Sequence, residues 1–366
     1  MAGLQAIPRC VEEITTDWLN TVLEPHLKGE RVRSSLSTAF SDPGQNAEVA
    51  DVTLEYEGPN DLPTRMIAKL ASRTPAIREV CRTHDMYGRE VAFYNSFAGD
   101  GLPLARCFHA QHEPESQDMV LLLEHLSPSL TPSYGITVDQ VRMAARRAAI
   151  FHAHWWNDPW LKDQAALVQL DDMGGWLTFL EASVAAFPIV RSLVGAECEA
   201  SIHAITFWQA NLDNVLAHLK TRPFALQHSD YYGKQIFFPH NGQGQFAIID
   251  WQFPSVGPAA WDVARLMSMG LDTSIRRTIE MDLVTEYVDA LSAEGVCGYD
   301  ADQCRIDLAL GVVYSQMLNF ISMLTTGPSL ADMECRKHGL DWKDVWLLRG
   351  NAMVEEFNSA DVLRSL

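Results

Sequence analysis

Residues 227–264 read QHSDYYGKQIFFPHNGQGQFAIIDWQFPSVGPAAWDVA, and the order of side chains in this stretch decides the fold. Two short apolar runs, Ile236-Phe237-Phe238 and Phe246-Ala247-Ile248-Ile249, are rich in aromatic and β-branched residues. Between them stands Asn241-Gly242, the strongest short-range hairpin signal, because a type I′ turn needs positive φ at both central positions. Gln235 precedes the first run and Asp250 follows the second, so a hairpin carries an amide oxygen and a carboxylate to its open end, with Asp230 shortly upstream. Hard oxygen donors of this kind suit Mg²⁺ where nucleotide phosphates complete its coordination.

This stretch resembles the catalytic segment of the aminoglycoside phosphotransferase and choline kinase-like superfamily, which shares the protein-kinase fold: H-x-D-x(4)-N, a hairpin, then a metal-binding Asp. Ile249-Asp250-Trp251-Gln252 and the following Gly257-Pro258-Ala259-Ala260-Trp261-Asp262-Val263-Ala264 are most similar to the ecdysteroid-kinase-like branch. The resemblance implies that Asp230 is the catalytic-loop aspartate, and that Asp250 and Gln235 are the metal ligands. It further implies that His228 supports the segment by hydrogen bonding and that Asp262 holds the catalytic-loop backbone. Two positions depart from the pattern. Ser229 stands where Gly is usual, and Gln235 stands where Asn is usual, a longer side chain that moves the coordinating oxygen. Some maltokinases resemble this chain in carrying Gln there, although Trp251-Gln252 is not their Phe-Glu.

Earlier in the chain the same order continues. Residues 49–56 alternate apolar and polar with Val52, Leu54 and Tyr56 on one side, as a half-buried strand does. The turn Gly58-Pro59-Asn60-Asp61 leads into Arg65-Met66-Ile67-Ala68-Lys69-Leu70, a second strand ending near a lysine. By the resemblance, Lys69 holds nucleotide phosphates and Glu90, in the helical run Gly88-Arg89-Glu90-Val91-Ala92-Phe93-Tyr94, pairs with it. Val120-Leu121-Leu122-Leu123-Glu124-His125-Leu126 resembles the strand and hinge that carry adenine on backbone groups of Glu124, His125 and Leu126. The phosphate-covering loop is the poorest match: residues 39–46 offer only Gly44, and Pro43 removes a donor, leaving Gly44 and Asn46 as its candidates. Near the N-terminus, Thr16 precedes an amphipathic run with Trp18, Leu19, Val22 and Leu23 on one face.

From residue 131 onward the pattern is helical. Residues 138–156 read as one long helix, with Val141, Ala144, Ala148, Phe151, His152 and Trp155 at three- and four-residue steps. His152 and His154 are two apart, about 200° around a helix, so they do not share one metal ion, and a packed or hydrogen-bonded His152 is the better reading. Trp155, Trp156 and Trp160 suit a core, or an aromatic wall for an apolar or cationic substrate. Residues 171–219 fit a helical insert, and 278–294, 302–324 and 342–362 read as three further helices. Tyr231 and Tyr232 could pack on the catalytic loop or face a substrate.

Composition sets the outer limits. The chain has 366 residues, enough for two packed lobes, and its 47% hydrophobic content excludes disorder. A net charge of −19 argues against nucleic acid or an anionic membrane as partner, since both call for basic patches. No run of eighteen apolar residues occurs, so no spanning helix is expected, and the N-terminus resembles neither a signal nor a transit peptide. The seven scattered cysteines lack C-x-x-C spacing and fit reduced thiols of a cytoplasmic protein.

The expectation is an α+β, bilobal protein-kinase-like fold: a small mixed N-lobe with an antiparallel sheet over residues 1–126, and a larger helical C-lobe over 127–366. The resemblance implies an ATP- and Mg²⁺-dependent kinase for a small-molecule hydroxyl, with a bulky alcohol as acceptor. An amino alcohol, sugar or hydroxy acid stays open as acceptor. So does a nucleotide-binding protein without turnover, to which Gln235 and the glycine-poor loop point. Oligomeric state is not legible.

Overall fold

The computed structural model describes residues 6–40, 46–97, 101–130 and 132–366. The chain forms two compact units, Met1–Leu130 with Pro239–Phe253, and Thr131–Phe238 with Pro254–Leu366. The stretch 227–264 is therefore divided, its central part 239–253 folding with the first unit. A mixed unit with an antiparallel sheet and a mainly helical unit give the expected α+β class.

In the first unit, β1 (Val32–Ala39), β2 (Ala47–Tyr56), β3 (Arg65–Ala71), β4 (Cys107–Glu113) and β5 (Asp118–Glu124) form one antiparallel sheet in the order β1-β2-β3-β5-β4. Alternation sends Val52, Leu54, Met66, Ala68, Leu70 and Leu122 into a core closed by Trp18 and Leu19. The helix carrying those last two residues, Thr16–Val22, is capped by Thr15 rather than Thr16, the Thr15 hydroxyl accepting from the Trp18 N–H. Sequence patterning misses β1 and β4. Both are edge strands with a single buried residue each, Val32 and Phe108, so apolar alternation never develops. The same alternation puts Lys69 on the sheet face opposite Ala68 and Leu70, toward helix Met86–Phe97.

The Asn241-Gly242 turn forms as expected. His240 and Gln243 exchange backbone hydrogen bonds of 2.8 and 2.9 Å, and Asn241 and Gly242 have φ of +51° and +74°. The flanking strands are shorter than the apolar runs, Ile236–Phe237 and Ala247–Ile248.

In the second unit, helix Val138–His154 starts in a capping box between Thr137 and Gln140 and ends two residues before the expected boundary. The expected insert comprises Met173–Ala185, Phe187–Val194, Glu199–Ala210 and Leu212–Leu219. Thr273–Ala293 and Ala301–Thr325 supply two of the three later helices. The third differs from expectation. Residues 342–362 contain a π-helical turn, Asp344–Leu348, then Arg349–Glu356, and a break at Asn358 with φ +51° before Ser359–Ser365. Side chains of the neighbouring helix explain the widened turn: Asn319 and Gln316 donate to the carbonyls of Trp346 and Leu347 at 2.8 and 2.9 Å, which draws those carbonyls off the α-helical ladder.

Helix Ala260–Gly270 is buried along its whole length. It packs on Ala301–Thr325 at Gly311, where a Cβ would lie 2.9 Å from Trp261 Cα, so only glycine allows this approach. A three-stranded sheet, with Ser255–Gly257 between Val168–Gln169 and Ala225–Gln227, leads directly into His228 on one side and toward Asp262 on the other.

By length and composition, Met173–Val194 and Ala301–Thr325 are apolar enough to cross a membrane, which no run in the sequence led us to expect. The apolar window of Ala301–Thr325 is 67% buried, the environment of a core helix, and Met173–Val194 is two helices that meet at Ala186.

Candidate active site

The first unit brings together Lys69, Glu90 and Asp250. The Lys69 ammonium donates to both Glu90 oxygens at 2.7 and 2.8 Å and to Asp250 Oδ1 at 2.6 Å. Burial opposes a charge on Lys69, yet Asp250 and Glu90 outweigh it and hold the ammonium protonated, above the ordinary lysine range. Glu90 is 1% exposed, whereas the Asp250 side chain is 30% exposed.

Asp250 is held by its neighbours in sequence. Trp251 stacks on Phe93 with ring centres 4.2 Å apart, and its indole N–H donates to the Ile248 carbonyl at 3.2 Å. Gln252 accepts from the Asn46 amide at 3.2 Å, so the described end of the 39–46 loop is tied to the Asp250 segment. Gly44 lies outside the described residues. Asp250 itself has φ +68°, a left-handed backbone rare for a non-glycine residue and found where a site over-determines geometry. Glu124 ends β5, its carboxylate accepting from the Arg106 N–H at 3.3 Å. His125 accepts from the Ser127 N–H at 3.1 Å, with burial lowering its imidazole below the ordinary histidine value, and the Leu126 side chain is buried.

The second unit builds the other group around Asp230. The buried carboxylate of Asp262 accepts from the backbone N–H groups of His228 and Ser229, both at 2.8 Å, and faces His152 Nε2 at 3.3 Å. His152 Nδ1 lies 2.9 Å from the Tyr287 hydroxyl, so His152 is a packed, hydrogen-bonded residue. His228 Nδ1 accepts from the Asp230 N–H at 3.2 Å, and Ser229 Oγ pairs with Ser255 Oγ at 2.6 Å. Ser229 has φ +67°, which gives the physical reason a glycine is at home there. Gln235 Nε2 donates to Asp230 Oδ2 at 3.1 Å, directing its amide oxygen away from that carboxylate. Tyr231 is fully buried, with its hydroxyl on the Ala144 carbonyl at 2.9 Å. Tyr232 stacks on Tyr134 at 5.6 Å.

Arg265 is the residue that sequence reading missed. Its Nε and Nη2 both lie 2.7 Å from Asp230 Oδ1. The only signal was a cation in the otherwise apolar run Ala264-Arg265-Leu266-Met267.

Asp250 in the first unit and Gln235 in the second each carry an oxygen donor of the type Mg²⁺ takes, and that ion is commonly held by one or two carboxylates plus substrate phosphates rather than by a protein cage. Among the described residues no cluster of three or more His, Cys, Asp or Glu side chains could hold a metal alone. The donor chemistry therefore fits Mg²⁺ only together with a phosphate ligand.

The architecture is that of a kinase-like phosphotransferase. A protein from Ralstonia eutropha JMP134 assigned as an aminoglycoside phosphotransferase matches with a TM-score of 0.53 at 13% identity, over 92% of this chain and 97% of that one. The GDP and kanamycin complex of APH(2")-IIia matches at 0.52 and 12% identity, over 93% and 98%. A microcompartment-associated aminopropanol kinase matches at 0.50 and 14% identity, over 94% and 98%. At these identities the likeness establishes the fold. No curated protein sequence matches significantly. Residues 64–300 match the phosphotransferase enzyme family (APH), and the chain belongs to that family. It is accordingly a phosphotransferase.

Proposed function

We propose that the protein transfers the γ-phosphate of ATP to a hydroxyl of a bulky, largely apolar alcohol. The carrying observation is the Lys69–Glu90–Asp250 triad, an ammonium poised by one carboxylate beside a second that is partly exposed. In this reading Lys69 holds the α and β phosphates once nucleotide draws it from Asp250, and Glu90 orients it. Backbone groups at Glu124, His125 and Leu126 receive adenine, and Asn46 adjoins the phosphates. Asp250 and Gln235 would hold Mg²⁺, which when bound neutralises charge on the phosphate oxygens.

Asp230 orients the acceptor hydroxyl. The acceptor oxygen forms the new bond to the γ-phosphorus as the bond to the β,γ-bridging oxygen breaks; ADP leaves and the hydroxyl proton passes to Asp230 and then to solvent. Because the transition state is loose, placement and charge neutralisation outweigh proton abstraction. Asp262 and His228 keep the loop in shape. The likeness of residues 249–264 to the ecdysteroid-kinase-like branch supports the bulky alcohol.

The test is ADP release with Mg²⁺-ATP across sterols, amino alcohols, sugars and hydroxy acids. Turnover on a sterol-like alcohol, lost in Asp230→Ala, is expected. Turnover confined to sugars or amino alcohols would overturn the acceptor assignment, and ATP binding without turnover on any acceptor would count against the kinase reading.

A further inference from the structure

Arg265 is 4% exposed and every edge of its guanidinium is engaged. Nε and Nη2 both reach Asp230 Oδ1 at 2.7 Å, while Nη1 reaches Ser315 Oγ at 3.0 Å and Asn319 Oδ1 at 3.1 Å. One face lies against Tyr232, its carbon 5.1 Å from the ring centre. Asn319 is fixed in turn by its bond to the Trp346 carbonyl in the π-helical turn. A buried arginine in such a frame does not swing, and a planar fork held on several sides sets the orientation of whatever it grips.

What it grips is the Asp230 carboxylate, whose side chain is 26% exposed. With Oδ1 on Arg265 and one Oδ2 lone pair on the Gln235 amide, the carboxylate plane is set from both ends, and Oδ2 keeps a second lone pair for an acceptor. We propose that Arg265 is a positioning residue for phosphoryl transfer, fixing the Asp230 carboxylate so that Oδ2 meets the acceptor hydroxyl. This rests on the kinase reading of Asp230. Orientation is where a loose transition state is most sensitive, so the effect falls on turnover rather than on nucleotide binding.

The experiment compares Arg265→Met, Arg265→Lys, Asp230→Asn and the double variant Arg265→Met/Asp230→Asn, by steady-state kinetics with Mg²⁺-ATP and by crystal structure. Arg265→Met is expected to lower kcat about 10–100-fold with KM for ATP within about twofold. Arg265→Lys folds with its charge retained and recovers only part of kcat, because one ammonium reaches Asp230 or the Ser315–Asn319 pair but not both. In the double variant, Arg265→Met adds nothing to the loss from Asp230→Asn. The Arg265→Met crystal structure shows the Asp230 carboxylate turned or in several orientations. An unchanged Asp230 rotamer in that variant overturns the inference whatever the turnover, and so does a fully additive double variant. Wild-type activity in Asp230→Asn overturns the kinase reading instead, since the Asp230 rotamer is then still free to report on Arg265.

Discussion

Lys69 Nζ lies 2.6 Å from Asp250 Oδ1 while the same ammonium holds both oxygens of buried Glu90. One cation thus neutralises two carboxylates, and removing it leaves like charges facing each other with little water. Lys69→Met is expected to lower unfolding free energy in urea by about 3–5 kcal/mol, the usual cost of breaking a buried ion pair from one side. Adding Glu90→Gln should recover much of that loss, because the uncompensated buried charge has gone. Strictly additive losses would mean that the two residues are not energetically coupled.

Gln235 reaches Asp230 through Nε2 at 3.1 Å, and the proposed function makes its amide a ligand of Mg²⁺ as well. Gln235→Ala removes both contacts and should lower kcat about 10–100-fold while raising the Mg²⁺ concentration needed for half-maximal rate. Gln235→Asn keeps an amide oxygen but shortens the reach to Asp230, so Mg²⁺ dependence should stay closer to wild type than kcat does. A Mg²⁺ titration of each variant reads the two effects separately. If Gln235→Ala matches wild type in both, the metal role is wrong.

The parts of this fold legible in sequence are those that local patterning specifies. The Asn241-Gly242 turn is set by two adjacent residues that tolerate positive φ. Lys69 and Glu90 lie 21 residues apart; periodicity marks the strand and the helix that carry them, while their pairing comes from the family resemblance. β1 and β4 were illegible because edge strands need few apolar residues, and Ser34, Ser35, Ser37, His109 and Gln111 read as loop. The π-helical turn at 344–348 depends on Gln316 and Asn319 from another helix, which no local pattern reports. Arg265 escaped for the same reason: its meaning lies in Asp230, Ser315 and Asn319, none adjacent to it in sequence.

Asp118 makes the first unit acid-sensitive. Burial opposes its charge, but hydrogen bonds from Arg78, Ser116 and Arg9 outweigh burial and hold the carboxyl below its ordinary value of 3.8. A depressed folded value means that the carboxylate's contribution is complete above the unfolded value and is lost as pH falls through the folded one. Asp118→Asn should therefore cost about 1.5–3 kcal/mol at neutral pH, the range for hydrogen bonds to a charged group. The gap from wild type should narrow as pH falls below 3.8, the ordinary value from which the carboxyl is displaced. Urea melts of both proteins across that range check this, and a gap that widens on acidification has the wrong sign.

Ser229 combines a left-handed backbone, φ +67°, with 5% exposure and a hydroxyl bonded to Ser255 at 2.6 Å. A side chain at such φ costs about 1–2 kcal/mol. Ser229→Gly removes that strain but also loses a hydrogen bond of about 1 kcal/mol and frees the unfolded chain, so the terms nearly cancel. Its stability should stay within about 1 kcal/mol of wild type, with turnover retained because Asp262 still holds the backbone N–H. Ser229→Val keeps the strain, branches at Cβ and supplies no hydroxyl, and should lose about 2–4 kcal/mol together with activity, since Asp230 is the next residue. Equal stability of the valine and glycine variants in urea would show that the loop before Asp230 is not left-handed in solution.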